Sequence, residues 1–353
     1  MSAEDARLQL AYGGLHPDRV RDLMRERGSA AAVVRAIGSG SVQTTDRVRA
    51  AVAVDAAVRR SELQAIGVGF VGKGQSGYPE HLAELPDAPD ALFVRGDLPM
   101  TPGVAVVGTR RCTTYGKRLA AAYGRAIGEA GWCLVSGLAR GIDGAAHEGT
   151  VASGAKGVAV LGCGIDVAYP PEHAFLGRRL LDFGGAIVTE YPPGTPPEGW
   201  RFPPRNRIIS GLAAAVVVVE AGVKGGALIT AGAALIQGVP VFAVPGDVGR
   251  ASSQGTNLLI RDGAHPVLDA DDLIAELELI LGPVKRTAAA DSAPAEVGPV
   301  LAALEDGASP DELAARLGVG PVDLVRLIGK LIAGGWIAEE GDLLVPAAPA
   351  PVT

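Results

Sequence analysis

Residues Trp200-Arg201-Phe202-Pro203-Pro204-Arg205-Asn206-Arg207 bring two aromatic rings and three guanidinium groups into one short stretch. Rings offer stacking faces to unpaired bases and guanidinium groups fork onto phosphates, so the combination suits single-stranded nucleic acid, at about 1 to 3 kcal/mol per stacked base. The two prolines predict a stiffened loop. The competing reading is that Trp200 and Phe202 fill the core while the arginines pair with carboxylates.

Four further segments are candidates. Val104 to Gly116 reads as a strand that ends in Gly108-Thr109-Arg110-Arg111 and enters a helix near Thr114. Free backbone amides and the positive end of the helix dipole predict an anion site there, with Arg110 forked onto a phosphate. The spacing is not GxGxxG, so no dinucleotide cofactor is expected, and plain strand-helix packing is the alternative. In Leu134 to His147, Ser136 and Gly137 fall at a strand end and Gly141 at a helix entry. Asp143 and His147 lie four apart on that helix, but no third metal ligand follows, so a capping Asp and a packed His are expected. In Val219 to Ala231, Gly225-Gly226 opens a helix after a strand, and its amides with Lys224 and Thr230 predict a second phosphate cradle. The turn from Ala243 to Gly249 and the loop from Ser252 to Asn257 complete the five, all expected at one edge of a sheet. The sequence contains no Walker lysine motif, HExxH or GxSxG elbow and no convincing catalytic carboxylate pair, so binding is expected rather than catalysis.

The elements that must position these residues follow from the hydrophobic pattern. From Ala65 short apolar runs end in glycine and alternate with helical stretches, which predicts βα units. Strands are expected at Val104 to Gly108, Cys133 to Gly137, Gly157 to Gly162, Ala186 to Glu190, Ala214 to Glu220 and Val239 to Pro245. Their uninterrupted apolar character predicts burial on both faces of a doubly wound, mainly parallel Rossmann-like sheet. Ligands of such sheets bind beyond the carboxyl ends of the strands, where the candidate segments fall.

Around that core the expected organisation is a small helical domain at 1–63, the Rossmann-like domain at 64–282, a linker at 283–299 and a winged helix at 300–346. Helices are expected at Asp5 to Leu10, His16 to Glu26 and Thr45 to Leu63; Arg19, Arg21, Arg25 and Arg27 are offset by Asp18, Asp22 and Glu26 and read as a solvated face. In the C-terminal part, Ser309-Pro310-Asp311-Glu312 is a helix start. The following helix, Pro321 to Gly334, offers only Arg326 and Lys330 against Asp323, which favours a structural or protein-binding role over DNA reading.

Net charge is −7 over 353 residues, divided as −1 over 1–103, +4 over 104–265 and −10 over 266–353. A polyanion therefore suits the middle segment, since screening confines charge effects to about 8 Å. Cys112, Cys133 and Cys163 show neither CxxC spacing nor a disulfide pattern. The first ten residues are polar and acidic where a secretory signal needs a basic start and an apolar run, so a cytoplasmic location is expected.

Six segments in order, Val-Gly-Thr-Arg (107–110), Ser-Gly-Leu-Ala-Arg-Gly-Ile-Asp-Gly-Ala-Ala-His (136–147), Val-Leu-Gly-Cys-Gly-Ile-Asp-Val-Ala-Tyr-Pro (160–170), Phe-Pro-Pro-Arg-Asn-Arg-Ile-Ile-Ser-Gly-Leu (202–212), Leu-Ile-Thr-Ala (228–231) and Val-Pro-Gly (244–246), resemble the DprA/Smf family of DNA-processing proteins. The resemblance implies a homodimeric, non-enzymatic, extended Rossmann-like protein without cofactor. Such a protein binds single-stranded DNA and loads RecA recombinase onto DNA taken up in natural transformation, with single-stranded-DNA-binding protein as a further partner. Carried over by position, it implies that Arg110 grips a phosphate, Ser136 and Gly137 line the pocket, and Arg205, Asn206 and Arg207 hold the backbone and a base, while Gly225, Gly226 and Thr230 complete the cradle. With Thr109, Arg140, Phe202 and Lys224 these form the expected DNA-binding set. The chain departs from the family pattern at His173, where Asn is frequent, and at Gly225, where Ser is frequent, so a hydroxyl contact is lost. Two rival readings stand beside this one. Related Rossmann-like enzymes cleave nucleoside monophosphates, but with a loop glutamate that Gly225 to Ala231 lacks; alternatively, the chain is a protein-interaction scaffold working through its C-terminal part.

Overall fold

The structure is a computed structural model that describes residues 1–282, 300, 304, 308–333, 337–340 and 343–346. It divides into two compact units, the first comprising residues 1–151 and 155–283. The chain opens with five helices, α1 (Ala3–Tyr12), α2 (Pro17–Arg27), α3 (Ala30–Gly38), α4 (Asp46–Ala53) and α5 (Ala56–Ala65). Their starts are set by local chemistry: Ser2 and Asp5 form a capping box, and Ser29, Thr45 and Asp55 each accept from a backbone amide of the first turn. The expected single helix from Thr45 to Leu63 is thus two, because Asp55 gains a capping bond to the Ala57 amide by leaving the helical path. Helix α3, absent from the expectation, has a buried apolar face of Val33, Ala36 and Ile37. On α2, Arg21 and Arg25 pair with Asp18 and Asp22 as a solvated face would.

The helices share their unit with a nine-stranded sheet. Its strands are β1 (Gly69–Gly72), β2 (Ala91–Gly96), β3 (Gly103–Val107), β4 (Leu134–Ser136), β5 (Gly157–Leu161), β6 (Ala186–Thr189), β7 (Ala213–Val218), β8 (Val241–Ala243) and β9 (His265–Pro266), in the order β1-β2-β6-β5-β4-β3-β7-β8-β9. All pairs from β6 to β9 are parallel. Strands β1 and β2 form an antiparallel edge, a departure from the expected βα alternation after Ala65. The short helix α6 (Glu80–Ala83) joins them.

Successive crossovers are α7 (Thr114–Glu129), α8 (Ile142–Ala152), α9 (Ala174–Asp182), α10 (Phe202–Gly211), α11 (Gly226–Ile236), α12 (Gln254–Arg261) and the closing α13 (Ala270–Leu281). Alternate residues of β5 go to opposite faces and both are buried: Val158 and Val160 pack with Ile208 and Ile209 of α10, while Ala159 and Leu161 pack with Leu176 and Leu180 of α9. Leu8 and Leu63 of the N-terminal helices join the second cluster against Phe93 of β2. The chain winds from β3 to β6 in one direction and then crosses over to β7 on the far side of β3, so the sheet has a switch point between β3 and β7. No helix among the described residues is long and apolar enough to cross a membrane.

In the second unit, α14 (Pro310–Leu317) starts at a Ser309–Glu312 capping box with Pro310 at its first position, and α15 (Pro321–Ala333) precedes the antiparallel pair β10 (Ile337–Glu340) and β11 (Leu343–Pro346). Leu313, Leu324, Leu331, Ile337 and Leu344 form its apolar cluster. The expected linker at 283–299, most of residues 301–307, residues 341–342 and the side chains of Asp323, Arg326 and Lys330 lie outside the described residues.

Helices α7 and α8 meet at backbone distance. A Cβ on Gly124 would lie 2.0 Å from the Ala146 carbonyl oxygen, and one on Gly149 would lie 2.0 Å from that of Ala121. Glycine to alanine inside a helix ordinarily stabilises by about 0.5 to 1 kcal/mol. Here the methyl has no room, so Gly124→Ala is expected to destabilise by about 2 kcal/mol. Gly232→Ala on α11, where nothing lies within 4 Å, is expected to show the ordinary gain. Chemical denaturation of both variants checks the pair, and shifts of the same sign would refute the close-packing account.

Candidate nucleic-acid interface

At the carboxyl ends of β3, β4 and β7 the crossovers leave a cavity of about 460 Å³. It lies at the switch point, where the outgoing crossovers α7 and α8 diverge from α10 and α11. One wall is the turn after β3, with Thr109, Arg110 and Arg111; another is the first turn of α10, with Phe202, Pro203, Arg205 and Asn206; a third is the start of α11, with Gly225, Gly226, Ile229 and Thr230. Ala139 and Asp143 reach it from β4 and α8.

The stretch from Phe202 is the start of a helix and not the expected loop. Pro203 and Pro204 occupy a first turn whose amides have no helical acceptor, so the missing N–H groups cost nothing there. A helix turns each successive side chain by about 100°, so Arg205, Asn206 and Arg207 point in different directions. Arg207 points away from the cavity: it is buried and paired with Glu190 at 2.6 Å. Burial disfavours its charge, but the Glu190 carboxylate outweighs that and raises its pKa. This corrects its expected role on the DNA backbone. Phe202 does line the cavity, whereas Trp200 lies outside it, stacked on His16 with ring centroids 5.4 Å apart.

Arg205 is 4% exposed and spends its donors internally. Its Nη1 donates to the carbonyl oxygens of Gly137 (3.0 Å) and Val160, and its Nε to Asn206 Oδ1. Burial pulls its pKa down to about 10, so it remains a cation at neutral pH. It contributes positive potential to the cavity floor and not the free fork expected of it. Asp143 balances it: burial raises the carboxyl pKa and the Arg205 charge opposes that rise, while the Gly137 amide donates to Oδ2 at 3.1 Å. Gly137 is the residue that lets both approach, since a Cβ there would lie 2.6 Å from Arg205 Nη2 and from Asp143 Oδ2. Leu138 beside it has φ 51°, a strained value for a side-chain-bearing residue.

Arg110 is the contrasting case. It is exposed, makes no ion pair or hydrogen bond among the described residues, and holds its guanidinium carbon 4.6 Å from the centre of the Phe202 ring. On the same cavity, α11 begins after Gly225 without a side-chain cap, and the amides of Gly226 and Ala227 have no acceptor among the described residues. A Cβ on Gly226 would meet nothing within 4 Å, so the terminus is open to a ligand.

The structure thus gathers Thr109, Arg110, Phe202, Arg205, Asn206, Gly225, Gly226 and Thr230 of the expected set. Ser136 is fully buried beneath, donating to the Val106 carbonyl, and Gly137 acts through Arg205 and Asp143. Arg140 is exposed but paired with Glu172, and Lys224 is exposed; neither lines the cavity. The expected anion site at the start of α7 is filled by the protein itself: Glu220 Oε2 accepts from the Thr113 amide at 2.9 Å and Oε1 from its hydroxyl. Nor does the turn after β8 contribute, because Gly246 and Asn257 bond to one another in both directions. Missed from the set were Arg111, which carried the same signal as Arg110, and Ile229, one helical step from Thr230.

His147 is fully buried with a pKa lowered by burial to about 3, a neutral packed ring. His173 places Nδ1 2.9 Å from the Leu138 carbonyl oxygen and so braces the strained residue. Among the described residues no group of three His, Cys, Asp or Glu is placed to hold a metal ion.

Residues 69–278 match the model of the family described as DNA recombination-mediator protein A. Protein Smf of Escherichia coli is 38% identical over 271 residues, 74% of this chain and 72% of that protein. DNA processing protein DprA of Streptococcus pneumoniae is 42% identical over 206 residues, 57% of this chain and 71% of that protein. Among solved structures, that of DNA processing protein A from Streptococcus pneumoniae superposes with a TM-score of 0.63 at 33% identity, covering 76% of this chain and 95% of that one. The Helicobacter pylori protein, whose structure concerns its mode of single-stranded DNA binding, gives 0.54 at 28% identity, covering 60% and 96%. On sequence and fold together, the chain belongs to the DNA recombination-mediator protein A family, the DprA/Smf proteins.

Proposed function

We propose that the chain binds single-stranded DNA in the cavity at the strand ends and acts as a recombination mediator, without catalysing a reaction. The observation that carries this reading is the meeting of an unpaired Arg110, a half-buried Phe202 and the uncapped start of α11 around one cavity. A guanidinium and two free amides suit phosphates, and a recessed ring suits an unpaired base. A base inside a duplex cannot reach a ring set below the surface, so single strands are favoured. The DNA-binding reading of a related Helicobacter pylori protein supports the same assignment.

Within this function we assign RecA recombinase as the receiver of the bound strand, natural transformation as the setting, a second copy of the chain and single-stranded-DNA-binding protein as partners, and the cytoplasm as the location. The division into a helical part at 1–63, a DNA-binding part at 64–282 and a winged helix at 300–346 belongs to the same proposal. Family membership supports these assignments.

Gel shifts of single- and double-stranded oligonucleotides over a salt series test the function. Preferential retention of the single strand, with log K falling linearly against log salt, is expected; equal retention of duplex rejects it. In the same assay Arg110→Ala should lower affinity and reduce the salt slope by about 0.7, the contribution of one phosphate contact on a single strand. Phe202→Ala should cost about 1 to 3 kcal/mol through lost stacking while leaving the slope unchanged. A slope change in the Phe variant, or none in the Arg variant, would contradict the roles given to them.

A further inference from the structure

Glu220, two residues past the end of β7, is 6% exposed and takes no part in the proposed DNA contacts. In doubly wound folds the pyrophosphate of a bound nucleotide sits at the start of the helix that follows the first strand of the winding, which in this chain is α7. That terminus already carries a carboxylate and a side-chain cap. The Thr113 amide and hydroxyl both donate to the Glu220 carboxylate, and the Gly116 amide donates to Thr113 Oγ1 at 3.0 Å. The carboxylate lies so close to the first turn that a Cβ on Gly116 would sit 2.5 Å from Glu220 Cδ. Glu220 is held there from the other side by its own carbonyl, which accepts from the Thr109 amide at 2.8 Å. The two helix starts thus differ: that of α11 lines the cavity without a side-chain cap, whereas that of α7, which follows the cavity-lining turn Thr109 to Arg111, holds the Glu220 carboxylate.

We propose that Glu220 is a specificity-determining residue: its carboxylate occupies the place a nucleotide pyrophosphate would take at α7 and so reserves the cavity for polynucleotide. This inference rests on the single-strand reading above. A pyrophosphate concentrates its charge on one helix terminus, whereas a polynucleotide presents single charges separated by sugars and is served by Arg110 and the α11 amides alone. A negative charge fixed at α7 therefore penalises the first ligand far more than the second.

The test uses the full chain and its Glu220→Gln and Glu220→Asp variants, titrated calorimetrically with ADP and with inorganic pyrophosphate, and by fluorescence anisotropy with an oligothymidylate. Glu220→Gln keeps the shape and an acceptor for Thr113 but removes the charge, and should tighten ADP and pyrophosphate binding by about tenfold or more. Glu220→Asp keeps the charge and should remain as weak as the wild type. The proposal is overturned if folded Glu220→Gln gains nothing, or if Glu220→Asp gains as much, which would make space and not charge the cause. Wild-type protein that takes ADP as tightly as the oligothymidylate overturns it with no variant needed, so a Gln variant that fails to fold does not protect it. Failure of the wild type to bind the oligothymidylate strikes the single-strand reading instead, while the ADP titrations still decide the role of Glu220.

Discussion

A buried guanidinium at the ends of two parallel strands is the constraint from which the site is built. Strand-end carbonyls need partners, and Arg205 supplies them for Gly137 and Val160 while its own charge is offset by Asp143. A cation taken so far out of water persists only when its donors are satisfied and a counter-charge is near, which ties α10 to β4 and β5 in one arrangement. That arrangement sets Phe202 and Asn206 at the cavity wall. Arg205 thereby fixes the geometry of the site and the sign of the field there, while Arg110 and the first α11 amides have no partner among the described residues.

Charge in this chain is distributed by that logic. The net −7 says nothing useful about the cavity, because charges paired within the fold cancel locally. Arg207 is paired with Glu190 and Arg140 with Glu172, whereas Arg110 stands over Phe202 with no carboxylate partner among the described residues. Helix termini differ in the same way, with α7 capped by Thr113 and carrying the Glu220 carboxylate and α11 left without a side-chain cap. Arg110, Arg111 and the uncapped start of α11 line one cavity, and a cavity with cationic and amide donors beside an aromatic ring is suited to a strand of phosphates and bases.

Glycine makes these approaches physically possible. Gly137 lets Arg205 and Asp143 meet over one backbone, and Gly124 and Gly149 let α7 and α8 close to backbone contact, which fixes the loops at their ends. The strain at Leu138 lies in the same turn and is braced by His173. Close backbone approaches therefore work with the Arg205 side chain to shape the cavity floor.

The sequence by itself determined the parallel strands, because uninterrupted runs such as Ala213 to Val218 have no polar face to offer water and must be buried on both sides. It also determined the carboxyl edge as the place to look, and the DprA/Smf kinship through ordered motifs. What it left open were properties that depend on distant partners. Whether Arg205, Arg207 or Arg110 is free depends on Gly137, Glu190 and Phe202, which lie far from one or another of them in the chain or across a helical turn. Whether the start of α7 accepts an anion depends on Glu220, more than a hundred residues away. Local spacing encodes periodicity and turns, whereas pairing of charges is settled only when the sheet brings separate strand ends together, and the tertiary structure alone decided which cations and amides remained unpaired.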